Sequence, residues 1–81
     1  MLVVKQDGRA VVNLGNMELI FVEQCDDEPN SGCYIIAMGA SGKRLVLGWY
    51  KDEKHANDVL KELLDKQEEE IRARAYKMPK A

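Results

Sequence analysis

One amphipathic stretch, which follows Asp52, is the strongest structural signal in the chain. Its apolar residues recur at positions i, i+3, i+4, i+7 and i+8, which is the spacing of one face of an α-helix. The Asp52 carboxylate can accept hydrogen bonds from the free amide groups of the first turn, and its charge suits the positive end of the helix dipole. Acid–base pairs four residues apart continue the pattern towards Pro79, so the sequence predicts one long helix over about residues 52–77. The apolar face consists of Ala56, Val59, Leu60, Leu63 and Leu64.

The part of the chain before this helix predicts short β-strands separated by tight turns. The Asp7-Gly8 pair can supply the positive φ angles of a two-residue hairpin loop. Residues 14–16 and 39–42 mark two further turns, and Pro29 interrupts strand pairing in the polar loop of residues 25–32. Because the turns are short, consecutive strands are expected to pair antiparallel. The predicted strands are 1–5, 9–13, 17–24, 33–38 and 43–50.

The predicted fold class is therefore α+β, with an antiparallel meander of about five strands packed against one long C-terminal helix. The length of 81 residues suits one domain. We expect that domain to cover residues 1–78, with a frayed tail at residues 79–81.

The three central strands are apolar on both faces. An antiparallel sheet with one wet face alternates apolar and polar residues, and one helix can cover only one face. The sheet must therefore either curl towards a partly closed barrel or present its second face to another molecule. We favour a homodimer, because about five short strands are few for a barrel. The residues predicted to bind the second copy or another, unidentified protein are Ile20, Val22, Ile35, Tyr50 and Ile71.

Trp49 and Tyr50 stand directly before the helix cap. Aromatic residues can anchor a partner, but they also wedge a terminal strand under a helix, and the sequence favours the second role. Since neighbouring residues of a strand point to opposite faces, one of the two should be more exposed than the other.

The composition limits the function classes. Apolar residues at 46% and charged residues at 32% are typical of a folded chain. A net charge of −2 predicts no strong attraction to polyanions, and the apolar runs are too short to span a bilayer. Since the N-terminus lacks the pattern of an export signal, we expect a cytoplasmic protein whose two cysteines are reduced.

No pattern of residues indicates a catalytic or metal site. Cys25 and Cys33 form one distant pair, whereas zinc sites need four ligands that usually come in close pairs. The adjacent acids of residues 26–28 do not have the alternating spacing of a calcium loop, and a strand follows Lys43 where a phosphate-binding loop needs a helix. His55 has no nucleophile or acid partner that the sequence can name. We therefore predict no enzyme activity, no cofactor, no metal and no small-molecule substrate.

A basic cluster near the C-terminus supports an alternative function. Basic residues follow Glu70 without a further acid, and a tyrosine stands among them. Such a cluster can contact phosphates and stack on a base, although it also suits the C-terminal end of a helix. The alternative is a small nucleic-acid-associated regulator that uses Arg72, Arg74, Tyr76, Lys77 and Lys80.

Three segments carry a resemblance to known proteins: NLGNMELIFV at 13–22, CYIIA at 33–37 and LGWYKDEKHANDVL at 47–60. They resemble small uncharacterised bacterial and prophage-encoded proteins, in which a strand meander leads through a glycine–aromatic run, a cap and a Val-Leu pair into one C-terminal helix. Some such proteins look like shortened pleckstrin-homology-like folds. The resemblance spans about residues 11–64 and implies a fold and a phage-related origin, but no functional residues.

Overall fold

A computed structural model of the chain describes residues 1–28, 31–68 and 75–80. The described elements are six strands, one α-helix and one 3-10 turn. In chain order they are β1 (Leu2–Val4), β2 (Val11–Asn13), the 3-10 turn (Leu14–Asn16), β3 (Met17–Cys25), β4 (Gly32–Gly39), β5 (Arg44–Tyr50), α1 (Glu53–Glu68) and β6 (Tyr76–Lys77).

The strands form two three-stranded sheets, so the α+β class is confirmed and the single meander is wrong. The first sheet has the order β2-β1-β6, and the second has the order β3-β4-β5. The two separate at the 3-10 turn, which the sequence predicted as an ordinary turn between paired strands. Leu14 is 2% exposed, and its amide donates to the carbonyl of Met1 at 2.9 Å. Burial of Leu14 thus turns the chain away from the first sheet before β3 begins.

The first sheet begins with the predicted hairpin. β1 and β2 pair antiparallel, with Val3 opposite Val12. Gly8 has a φ of 73°, the conformation that the Asp7-Gly8 pair was expected to supply, and its amide donates to Lys5 at 2.8 Å. The hairpin is confirmed, but the two-residue loop is wrong: the amide of Lys5 donates to the carbonyl of Ala10 at 3.0 Å, so residues 6–9 form the loop.

The second sheet is an antiparallel meander with a bulge in β5. Ile35 lies opposite Gly48 and Ile36 lies opposite Val46, so Leu47 has no partner in the ladder. A bulge of this kind shifts the alternation of side chains by one position. Leu47 and Tyr50 are consequently both buried, although strict alternation assigned them to opposite faces.

The helix α1 begins as predicted. The amide of His55 donates to Oδ1 of Asp52 at 2.7 Å, which confirms Asp52 as the N-cap. Ala56, Val59 and Leu63 are at most 4% exposed and pack over all three strands of the second sheet, whereas Leu64 at the margin of the stripe is 44% exposed.

The C-terminal segment differs from the prediction. The helix ends at Glu68 in its described part, and Tyr76 and Lys77 form a strand parallel to β1, so a helix to residue 77 is wrong. The amide of Met78 donates to the carbonyl of Val4, and the Met78 side chain is 5% exposed in the core. Charge pairs at i,i+4 add only about 0.2–0.5 kcal/mol each. Burying a methionine contributes about 1.5–3 kcal/mol, so tertiary packing outweighs the helical pattern there.

The core lies between the two sheets and α1. All of its members are apolar, and the C-terminal segment contributes Met78. They are Val3, Val12, Leu14, Cys33, Ile35, Ala37, Leu47, Tyr50, Ala56, Val59, Leu63 and Met78.

Candidate interaction surface

The face of the β3-β4-β5 sheet that points away from α1 remains partly open. Phe21, Ile36 and Val46 lie side by side across the three strands, and Leu19 lies opposite Met38. Leu19 is 50% exposed and Val46 is 42% exposed, whereas Ile36 at the centre is only 2% exposed. We call this surface the open face, and we define it by Leu19, Phe21, Tyr34, Ile36, Met38 and Val46.

One ion pair crosses the open face. The guanidinium of Arg44 on β5 contacts the Glu23 carboxylate on β3, so the pair spans the strand between them. Both side chains are about half exposed, at 48% and 45%. Exposed ion pairs contribute about 0–1 kcal/mol, so this pair marks the polar part of the face rather than holding the sheet together.

Four of the five interaction residues predicted from the sequence lie on the other face. Ile35 and Tyr50 are fully buried under α1, and Ile20 and Val22 are half-buried against the same core. Ile71 lies outside the described residues. Since both faces are equally apolar in sequence, alternation could not decide which one the helix would cover. The surface available to a partner is therefore the open face.

The aromatic pair before the helix separates as predicted. Tyr50 is fully buried, and Trp49 is half-buried. The hydroxyl of Tyr50 donates to the carbonyl of Pro79 at 2.7 Å, and the His55 ring lies 4.8 Å from the Tyr50 ring between centroids. Burial, followed by the nearby Glu62 charge, raises the pKa of Tyr50 to about 12. Tyr50 thus packs in the core under α1, and its hydroxyl binds the C-terminal segment.

Trp49 closes one end of the open face by lying over Gly32. A Cβ at Gly32 would overlap Nε1 of Trp49 and would lie 2.8 Å from the backbone carbonyl oxygen of Tyr50, closer than a real Cβ atom comes. Only glycine at this position lets the indole approach the strand so closely.

Gln6 is a structural residue that the sequence reasoning missed, because it was assigned to the hairpin turn. Its backbone amide donates to Leu47 at 2.8 Å. Its side-chain oxygen accepts from the Trp49 amide at 2.8 Å, and its side-chain nitrogen donates to the carbonyls of Trp49 and Pro79 at 2.9 and 3.0 Å. One side chain therefore joins β5, the hairpin loop and the C-terminal segment. No periodicity or motif in the sequence could have indicated this.

The two cysteines are free thiols at one end of the β3-β4 hairpin. Cys33 lies opposite Gln24 and Cys25 lies opposite Gly32, so the thiols are not cross-strand partners. Burial, followed by the charges of Glu53, Asp52 and Asp26, raises the pKa of the Cys33 thiol. A raised pKa makes Cys33 less nucleophilic.

A cavity of about 320 Å³ lies beside these thiols, at the beginning of the helix. Asp26 at its margin accepts a hydrogen bond from Gln24. Within residues 1–28, 31–68 and 75–80, no group of three or more histidine, cysteine or acidic side chains has the arrangement of a metal site. The cavity is lined by Gln24, Cys25, Asp26, Ser31, Gly32, Cys33, Lys51, Asp52 and Glu53.

The residues of the predicted basic cluster are only partly described. Arg72 and Arg74 lie outside the described residues, and Lys77 and Lys80 are exposed. Tyr76 packs against the core, its hydroxyl oxygen is buried, and burial and the Glu62 charge raise its pKa. A ring in this position is not free to stack on a base. The nucleic-acid function stays a prediction that this placement does not favour.

No family model, curated protein or solved structure matches the chain. No helix in the described part of the chain is both long enough and apolar enough to cross a membrane.

Proposed function

We propose that this protein is a small, non-enzymatic interaction module that forms a homodimer through the open face. The observation that supports the proposal is the unequal cover of one sheet: α1 buries one apolar face, while Leu19 and Val46 on the other remain about half exposed. Exposed apolar patches on folded proteins commonly mark interaction sites.

The charges on the open face suit a second copy of the same chain. The face carries one cation, Arg44, and one anion, Glu23. A two-fold axis through the face can place Arg44 of each copy beside Glu23 of the other, because a two-fold interface brings the same patch of both subunits together. The surface is thus complementary to itself in charge as well as in its apolar character.

The size of the open face sets the strength of this dimer. Three strands at about 4.8 Å spacing and seven residues at about 3.4 Å each give a footprint of roughly 350 Å² per copy. Stable protein–protein interfaces bury about 800 Å² per partner. We therefore expect weak association that depends on protein concentration.

Sedimentation of two lysine variants tests the proposal. Val46 on the open face and Leu64 on the helix are 42% and 44% exposed, so they form a matched pair. The wild-type mass is expected to rise from one chain towards two over about a hundredfold increase in concentration. Val46→Lys should abolish the rise, because it buries an unpaired charge in the interface, whereas Leu64→Lys should leave it unchanged.

Two results would contradict the homodimer. One is a wild-type mass that stays at one chain at the highest concentration. The other is an equal loss of association in both variants, since that would mean that the charge acts without regard to the face it occupies.

The phage-related origin implied by the resemblance stays a separate prediction, and the identity of the genes beside this one would test it.

A further inference from the structure

The two edges of the β3-β4-β5 sheet differ in what covers them. The outer edge of β5 is occupied by Gln6, whose backbone amide bonds to Leu47 and whose side-chain amide bonds to both the N–H and the C=O of Trp49. The side-chain amide thus takes the place of a peptide group in a neighbouring strand. A further strand could not pair there without displacing Gln6.

The outer edge of β3 has no such cover within the part of the chain that the structure describes. β4 is the only strand that pairs with β3 in that part. The only other backbone hydrogen bond that the described residues make to β3 is at its first residue, where the amide of Met17 donates to the carbonyl of Leu14 in the 3-10 turn. β3 is nine residues long, which exceeds the usual length of about 5–6 residues. Its sequence MELIFVEQC contains no lysine or proline, the residues that natural edge strands use to prevent pairing. Its one irregularity lies at the beginning, between Met17 and Leu19.

Acidic side chains predominate around this edge, although the guanidinium of Arg44 on β5 reaches Glu23 on β3. The sequence contains no lysine or arginine from Ala10 to Gly42, while it contains five acidic residues. Glu18 near the start of β3 is exposed, as are the three acids that follow the strand. Of the five, only Glu23 has a basic partner among the described ion pairs. The acids are Glu18, Glu23, Asp26, Asp27 and Glu28.

The side chains of β3 alternate in a way that suits a paired strand. Leu19 and Phe21 point to the open face, and Ile20 and Val22 point to the helix-covered core. A strand added beside β3 would meet apolar neighbours on both faces at its centre and acidic neighbours at both ends. A second copy would bring another set of acids to the same edge, which like charges disfavour.

We propose that the outer edge of β3 binds an extended segment of another protein, with apolar residues at its centre and lysine or arginine at its ends, by β-strand addition. Main-chain hydrogen bonds along the edge would hold the segment, and the acids would select a basic one. This inference names a partner for the interaction module proposed above, but it rests on the sheet edge rather than on the open face.

A titration of the full chain, labelled with ¹⁵N, tests the proposal. The probe is a synthetic nine-residue peptide with five valines at its centre and two lysines at each end. We expect chemical-shift changes concentrated in the amides of β3, and an affinity that falls by about tenfold when salt is raised from low to high ionic strength. Two matched peptides serve as controls: one has glutamate in place of each lysine, and the other has the four lysines at its centre and the valines at its ends. Neither should shift the β3 amides.

Two variants of the chain localise the charge effect. Glu18→Lys reverses a charge at the edge, and Asp65→Lys makes the same change at an exposed position of the helix. We expect the first to weaken peptide binding by about fivefold and the second to leave it unchanged.

Three outcomes would overturn the inference: no shift of the β3 amides with the peptide that has lysines at its ends, equal binding of the glutamate peptide, or β3 amides that become protected with rising protein concentration alone. The last would assign the edge to a second copy.

The homodimer is tested separately by mass: a Val46→Lys monomer that still binds the peptide would leave the inference standing without the dimer. A dimer whose β3 amides ignore the peptide would leave the proposed function standing without the inference.

Discussion

The two faces of the β3-β4-β5 sheet are built from similar residues and have different surroundings. On one face Ile35 and Leu47 are at most 1% exposed under α1, and on the other Leu19 and Val46 are about half exposed. The edges differ in the same way, since Gln6 covers β5 while β3 remains open in the described part of the chain. Apolar composition makes a surface suitable for burial, but the path of the chain decides whether anything covers it. The following changes test this contrast.

The largest expected difference is between alanine substitutions on the two faces. Ile35→Ala should lower the free energy of unfolding by about 2–5 kcal/mol, because it leaves a cavity in a packed core. Val46→Ala should lower it by less than about 1 kcal/mol, because the side chain is already half in water. Urea denaturation at a concentration where the chain is monomeric measures both. Equal losses would break the contrast, since they would mean that the open face is covered within a single chain.

Gln6→Ala should have the next largest effect and should lower the free energy of unfolding by about 1–3 kcal/mol. It removes the side-chain bonds to Trp49 and Pro79 and leaves partly buried backbone groups without partners. Gln24→Ala is the matched control, because Gln24 is exposed and its described side-chain bond is to Asp26; its effect should lie within about 0.5 kcal/mol. If thermal unfolding shows the same small effect for both, Gln6 does not hold the closed edge.

Asp52→Ala should cost about 1 kcal/mol through loss of the helix N-cap. Asp52→Asn keeps an oxygen that can accept from His55 and should restore most of the stability. Amide exchange of the first helical turn reports the result directly. If both variants lose stability equally, the charge of Asp52, rather than its hydrogen bond, secures the helix over the covered face.

Ionisation of Tyr50 should have the smallest effect on stability, because it acts only at alkaline pH. Its pKa in the folded chain is raised to about 12, above the value of about 10 in an unfolded chain. Stability from the neutral phenol is therefore complete below pH 10 and is lost as the pH rises towards 12. Tyr50→Phe should flatten this part of the profile, measured as the urea midpoint against pH. An unchanged alkaline slope in Tyr50→Phe would assign the loss to other groups.

Local patterns predicted much of the fold. The β1-β2 hairpin, the strands of the second sheet, the Asp52 cap and the helical stripe are confirmed, because each depends on neighbours a few residues apart. The division into two sheets was not predictable in this way, since it depends on where the buried side chain of Leu14 finds the core. The helix was extended too far for the same reason, because its charge pairs are local and the docking of Met78 is not.

The sequence predicted that one apolar face would stay uncovered, but it did not predict which residues would line that face. Two apolar faces indicated that one would remain uncovered, and the structure has such a face. The bulge at Leu47, which brings both Leu47 and Tyr50 into the core, has no signature in strict alternation. Gln6 has none either, because its partners Trp49 and Pro79 are 43 and 73 positions away.

Because Tyr76 pairs in parallel with Val3, the first sheet cannot be completed until the C-terminal strand has been made. One edge of β1 therefore stays unpaired until residue 78 has been synthesised. Closing so large a loop also slows folding. A newly made chain would therefore pass through a state that lacks its last strand and the methionine that seals it. In that interval the nascent protein would be most open to proteases and chaperones.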